Sequence, residues 1–277
     1  MSLRCLFLLA AISISAPAQW INYRTPGTPR TPDGKPNLSA PVPHAADGHI
    51  DLSGVWMHEH IPLAEMERYF GAGLSQGNVP GMEVDTVHKY AINILLDFKP
   101  NESPIRPEAL AIMRDRKITD FPPTHCLPTG IPFGALVSEP VKLVQSPRLL
   151  VVLYEADVPR QVYTDGRELP KEFDKPAWFG YSAGKWDRDT LVVETAGFND
   201  KTWLDGMGHP HSDALHVTER YHRSDFGHMD VEMTFDDPKM YTKPFTIRVP
   251  FYLLADADIY ESICNENEKD LDHMRQK

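Results

Sequence analysis

The segment Asn199–Ala214 (NDKTWLDGMGHPHSDA) concentrates the side chains best suited to chemistry. It holds Trp203, Asp205, His209 and His211 and has no strand pattern of its own. A connection that long inside a compact domain is usually functional or disordered, and these four side chains are rich for a disordered tip. In His209-Pro210-His211 the imidazoles stand two residues apart, and in an extended backbone such neighbours project to the same side. Pro210 biases His209 toward that extended form. With Asp205 or Glu219 the pair could supply three ligands and leave a position open, as a catalytic divalent metal such as zinc requires. His209 and His211 are therefore the metal candidates. The same residues also read without a metal. His211 then acts as general base, oriented by Asp205 or Asp200, and Glu219 as an acid raised in pKa by apolar neighbours. His211, Asp205 and Glu219 are the catalytic candidates, and Trp203, Tyr181 and Tyr221 are the aromatic groups expected to bind substrate. The bland alternative is a solvent-facing loop whose histidines cap turns.

Other motifs carry less. Gly180-Tyr-Ser182-Ala-Gly184 has the spacing of a nucleophile elbow, but that motif needs a strand-to-helix turn, and the flanks here read as strand. His58-Glu59-His60 is a second H-x-H that could complete a site across a barrel mouth or be a solvated loop pair. Trp178, Phe179 and Trp186 read as core or pocket wall. There is no Walker loop, dinucleotide fingerprint or paired CxxC, so nucleotide cofactors and haem attachment are unsupported.

The elements that must position these groups begin at Pro140. Val141–Gln145, Arg148–Glu155, Arg160–Thr164, Phe179–Trp186, Thr190–Phe198, Leu215–Ser224, Met229–Phe235, Pro244–Leu254 and Ile259–Cys264 carry β-branched or aromatic residues and are separated by turn residues. Nine such strands in succession predict an antiparallel meander. Its edges must be closed or covered, so a lipocalin-like β-barrel or strongly curled sheet is expected, with a two-sheet sandwich as the alternative. Alternation places Leu215, Val217, Glu219 and Tyr221 on one face, Met229, Val231, Met233 and Phe235 on another strand's apolar face, and Phe245, Ile247, Val249, Phe251 and Leu253 on a third. Glu219 thus points with the apolar set, where a carboxylate must be paired, hydrogen-bonded or shifted. The structural reading of Glu219 is an ion pair with Arg248 or Arg160, since Arg220 faces the other way.

Upstream, residues 1–18 read as a secretory signal: Arg4, an apolar run from Cys5 to Ser15, then Ala16-Pro17-Ala18. The run is too short to span a bilayer. Residues 19–54 form a Pro- and Gly-rich extended arm, in which Asp33-Gly34 before Leu38-Ser39 recurs as Asp47-Gly48 before Leu52-Ser53. Residues 55–277 are read as one barrel-like domain, with short helices in 55–135 at Ile61–Phe70 and Pro107–Arg116 and a rigid loop at Cys126–Pro132. After signal cleavage two cysteines remain. Cys126 and Cys264 in an exported chain suggest one disulfide, with two buried thiols as the alternative.

Composition sets outer bounds. A net charge of -11 argues against nucleic acid and anionic membrane surfaces as partners. The 25 prolines argue against a helical bundle.

Residues 178–244 carry a more specific pattern: Gly180-Tyr181-Ser182, Asp189–Thr195 (DTLVVET), Gly197-Phe198-Asn199-Asp200, Glu219-Arg220 and Asp237-Pro238. Together with Asp51–Trp56 (DLSGVW), Cys126-Leu127-Pro128 and Cys264–Asn267 (CNEN), the chain resembles a family of exported, β-rich proteins abundant in acidobacteria and other soil bacteria. The resemblance implies export to the periplasm or medium and a β-rich fold, and carries no catalytic residue.

These observations support three readings. The first is an exported enzyme acting on a small molecule by acid–base or metal-assisted hydrolysis, elimination or isomerisation. The second is a barrel that binds a small apolar ligand without turning it over. The third is a structural or interaction protein of the envelope. An enzyme requires His209, His211, Asp205 and Glu219 to converge on one pocket, whereas a carrier requires an apolar cavity with those groups scattered outside it.

Overall fold

The computed structural model describes residues 23–59 and 88–264, with a few isolated positions between them. The expected signal segment, the helix at Ile61–Phe70 and His60 lie outside the described residues, apart from isolated positions within that helix. Nine strands among the described residues form one closed barrel in chain order: β1 (Gly54–His58), β2 (Val141–Ser146), β3 (Leu149–Tyr154), β4 (Arg160–Tyr163), β5 (Tyr181–Asp187), β6 (Thr190–Ala196), β7 (His216–Arg223), β8 (His228–Asp236) and β9 (Phe245–Leu253). The turn residues that separate the strands in the sequence separate them in space, and closure removes every edge.

Three expectations need correction. The segment at Gly54–His58, divided in the sequence reading between the arm and the barrel-like domain and given no strand, is the closing strand: it pairs Trp56 with Val141 of β2 and with Leu253 of β9. Its first residue must be glycine, because φ is +146° and a Cβ would stand 2.4 Å from a Leu253 methyl. Secondly, the run is not antiparallel throughout. β4 and β5 are parallel, with Val162 opposite Ser182, because residues 164–180 carry the chain back along the barrel before β5 begins. Thirdly, Ile259–Cys264 is not a strand. β1 already occupies the free sides of β2 and β9, so no edge remains for it. The tail crosses the outside of the barrel as a strap, held by Lys142–Asp258 at 2.7 Å and by Tyr260 N and Ser262 N on Glu155.

Alternation is kept in β7, β8 and β9, whose burial patterns are strictly two-periodic where the sequence is. Trp56, Leu191, Val193, Val217, Phe235 and Val249 fill the interior. The arm repeats one turn twice: bridges Arg30–Pro36 and His44–Ile50 enclose Gly34 and Gly48, both at positive φ. Residues 88–140 gather at the barrel end from which the β3–β4, β6–β7 and β8–β9 connections emerge. There Thr129 bonds Asp157, Gly206 N bonds Ala91 O, and Arg106 N bonds Met240 O. Helices α1 (Lys89–Ile92) and α2 (Pro107–Asp115) lie in this cap; α2 starts on Pro107 as its sequence requires.

Cys126 and Cys264 form a disulfide with Cα atoms 5.5 Å apart and 138 positions apart in sequence, joining the cap to the strap. Replacing both with serine is expected to lower stability by about 2–4 kcal/mol, because the bridge restricts a long loop in the unfolded chain. Urea midpoints of the oxidised protein and the double variant check this.

Candidate functional site

Strand register builds a polar centre inside the barrel. Arg160 on β4, Ser182 on β5, Thr195 on β6 and Glu219 on β7 occupy inward positions of four successive strands, and Ser182 stands opposite Thr195 in the ladder. The Arg160 guanidinium donates from Nη1 to Glu219 Oε1 at 3.0 Å, from Nη2 to Glu219 Oε2, from Nη2 to Thr195 Oγ1 at 2.8 Å and from Nε to Ser182 Oγ at 3.1 Å. The Tyr221 hydroxyl donates to Glu219 Oε1 at 2.8 Å. Arg160 and Glu219 are 4% and 1% exposed, so this is a fork-to-fork ion pair removed from water. Such a pair is tolerable only because its lone pairs and protons are matched. Among the described residues, every buried side-chain polar atom has a partner.

Beside this centre lies a cavity of about 20 Å³, room for one water molecule. Its walls are apolar, from Val152, Met229, Val231, Met233 and Phe251, and its polar pole is Arg160, Glu219, Tyr221 and Tyr154. Residues 130–135 roof it, and Gly130 in that roof presses on Thr202 so closely that a Cβ would come within 2.7 Å. Burial pushes the phenols of Tyr154 and Tyr221 upward in pKa, so both stay protonated.

The sequence-derived candidates separate. Of the three catalytic candidates, only Glu219 lines this cavity. Asp205 is fully buried in the β6–β7 connection, where Oδ2 accepts from Ile94 N at 2.7 Å and from His209 Nδ1 at 2.5 Å, and Oδ1 from His209 N. His211 donates from Nδ1 to Ser212 O at 3.1 Å. That fixes the tautomer, so Nε2 accepts from the Thr202 hydroxyl at 2.6 Å. Burial lowers the His211 pKa and keeps the ring neutral. Neither Asp205 nor Asp200 orients it. Of the two histidines, it is His209 that pairs with Asp205. No group of three or more His, Cys, Asp or Glu side chains among the described residues could hold a metal ion, so His209-Pro210-His211 does not gather the third ligand that the metal reading needs.

The connection is rich in polar side chains for a different reason. It is buried, and its backbone must find partners. Asp237 accepts from Ser212 N and Oγ, Tyr241 donates to Pro210 O, and Arg116 donates to Gly208 O while its guanidinium lies 5.0 Å over the Trp203 ring. Trp203 is thus packed between cap elements. Tyr181 is partly exposed, stacked on Phe173 and bonded to Lys175 O. Tyr221 is the one aromatic candidate at the cavity. His58 is fully buried, with Nε2 on Val137 O at 2.9 Å, and is not a solvated loop residue.

Sequence reasoning named Arg160 only as a partner for Glu219, considered Ser182 only as a nucleophile elbow and set it aside, and did not name Tyr154 or Thr195 as site residues. Strand parity held the signal: Arg160 shares a face with Val162, and Thr195 with Val193 and Leu191.

A larger hollow of about 580 Å³ opens on the surface between the arm and β1. Its charged groups are spent: Arg223 donates to the Asp51, Asp225 and Phe226 carbonyls and stacks on Trp56, and Lys142 pairs with Asp258. The barrel interior is therefore the candidate site. Comparisons with family models, curated proteins and solved structures gave no significant match.

Proposed function

We propose that the barrel holds a small, mainly apolar molecule in the space under the roof, with one polar group of the guest against Arg160 and Tyr154. One observation carries this reading: a buried, hydrogen-bonded Arg–Glu–Tyr centre forms one wall of an otherwise apolar and incompletely filled cavity. Small-ligand sites combine these properties, with apolar lining and a few convergent polar groups. A purely structural core gains little from such a pair, since packed apolar side chains of similar volume are often as stable.

Binding without turnover is favoured over acid–base catalysis. Both Glu219 oxygens are engaged, and His211 has both ring nitrogens occupied away from the cavity. On this reading the interior works as in lipocalins, where a closed sheet holds one small ligand. Admission requires the roof to lift, because the closed space fits only a water molecule. Export of the chain is part of the proposal, supported by the pattern of residues 1–18 and by a cystine bridge of the kind that persists in oxidising compartments.

Met229 and Met233 line the cavity and make the test direct. In protein labelled at methionine methyls, titration with cyclopentanone should shift those two resonances with millimolar affinity. Val231→Phe, which fills the space, should abolish the shifts while leaving the remaining methionines dispersed. Unmoved Met229 and Met233 signals in the parent protein would refute binding at this site.

A further inference from the structure

The polar pole of the cavity is asymmetric in what it can still offer a guest. Glu219 is the acceptor there, and it is consumed: Oε1 takes hydrogens from Arg160 and Tyr221, and Oε2 takes one from Arg160. A guanidinium has five N–H groups. Four of those of Arg160 are committed to Glu219, Thr195 and Ser182. The Tyr154 hydroxyl lies beside the guanidinium and at the cavity wall. No acceptor among the described residues is within hydrogen-bond reach of it, while its ring is held by stacking on Phe179 at 5.3 Å. What remains for a guest is therefore the Tyr154 O–H as the strong group, with only the weakly accepting phenol oxygens of Tyr154 and Tyr221 beside it, in a pole whose two formal charges cancel.

Resting on the binding reading above, we infer that the ligand class is neutral carbonyl compounds (ketones, lactones or esters with a hydrocarbon body) and that Tyr154 is the residue that selects them by donating to the carbonyl oxygen. The chemistry follows from matching. A carbonyl oxygen accepts and donates nothing, so it satisfies Tyr154 and leaves no polar group of its own stranded. An alcohol that accepts from Tyr154 brings a hydroxyl hydrogen of its own, for which the pole offers only weakly accepting phenol oxygens and no carboxylate or carbonyl side chain, and a buried, poorly matched donor weakens binding by about tenfold. A carboxylate or an ammonium brings a net charge into a site already neutral, where no counter-charge is left. Burial supports the donor role of Tyr154, since it pushes the phenol further toward the protonated form. Arg160 strengthens it, because a hydroxyl beside a cation is a better donor.

The experiment uses five probes of one ring size on the full mature protein with its disulfide intact: cyclopentanone, cyclopentanol, methylcyclopentane, cyclopentanecarboxylate and cyclopentylammonium. Met229 and Met233 methyl shifts report occupancy. The ketone should bind about tenfold tighter than the alcohol and the hydrocarbon, and the two ions should not bind. Tyr154→Phe keeps the ring and its stack on Phe179. It should lower ketone affinity about tenfold, to that of the hydrocarbon, and leave the hydrocarbon unchanged. Equal affinities for ketone, alcohol and hydrocarbon, or a Tyr154→Phe variant that binds the ketone as the parent does, would overturn the carbonyl assignment and leave cavity binding standing. Silence of both methyls toward all five probes would overturn both.

Discussion

Arg160→Met is expected to destabilise the barrel by about 3–5 kcal/mol, because it leaves the Glu219 carboxylate buried with only Tyr221 to serve it. Glu219→Leu should cost a similar amount by stranding the guanidinium. The double variant Arg160→Met/Glu219→Leu should recover most of the loss, since it removes both charges and fills the space with hydrocarbon. Urea unfolding of the four proteins forms a double-mutant cycle, and the coupling should be large and favourable. Single losses that simply add would mean that the pair is not removed from water as the burial of its side chains, 3% and 2% exposed, indicates. The cycle also separates stability from binding, because the double variant keeps a barrel while losing the polar pole.

Acid should unfold the protein in part through one histidine. His88 caps α1, with its ring accepting from Tyr90 N at 3.3 Å, and lies edge-on to His58 with centroids 5.5 Å apart. Burial, then repulsion from His58 and Lys89, lowers its pKa from 6.5 to about 3. The unfolded chain therefore takes up this proton at higher pH than the native protein does. The associated stability is complete above pH 6.5 and is lost as pH falls toward about 3. Between about pH 7 and about pH 4 the loss from this group alone is on the order of 3 kcal/mol. His88→Asn keeps a capping acceptor without a titrating ring, so its stability should fall less over that range. Parallel urea curves at the two pH values decide the matter, and an unchanged slope with pH in the variant would remove His88 from the account.

The barrel was legible in the sequence because strand burial writes itself at period two. The Glu219 face and eight of the strands follow from alternation and turn residues alone, and Arg160 was one of the two partners they allowed, the other, Arg248, pairing with Glu232 instead. The closing strand was not legible. Gly54–His58 is short, and four of its five residues are buried, so it alternates with nothing. Ile259–Cys264 had strand-like residues, but the edge it would have joined was taken. The site was half legible. Polar residues clustered in the β6–β7 connection drew attention to His211 and Asp205, yet a buried connection needs those groups to satisfy its own backbone. The polar centre is instead distributed one residue per strand over β4 to β7, a pattern that no local motif contains.

Closure by β1 has a consequence for how the chain reaches this state. The strands from β2 to β9 can zip largely neighbour to neighbour, but β1 must find β2 and β9 together, joining segments from opposite ends of the barrel sequence. The loop entropy of that meeting falls on the last step. Until it occurs, β2 and β9 offer their unpaired amides and carbonyls to any other chain. Docking of this one five-residue strand is thus the step expected to carry the loop-closure cost, and a barrel still lacking it is the form whose open edges invite aggregation.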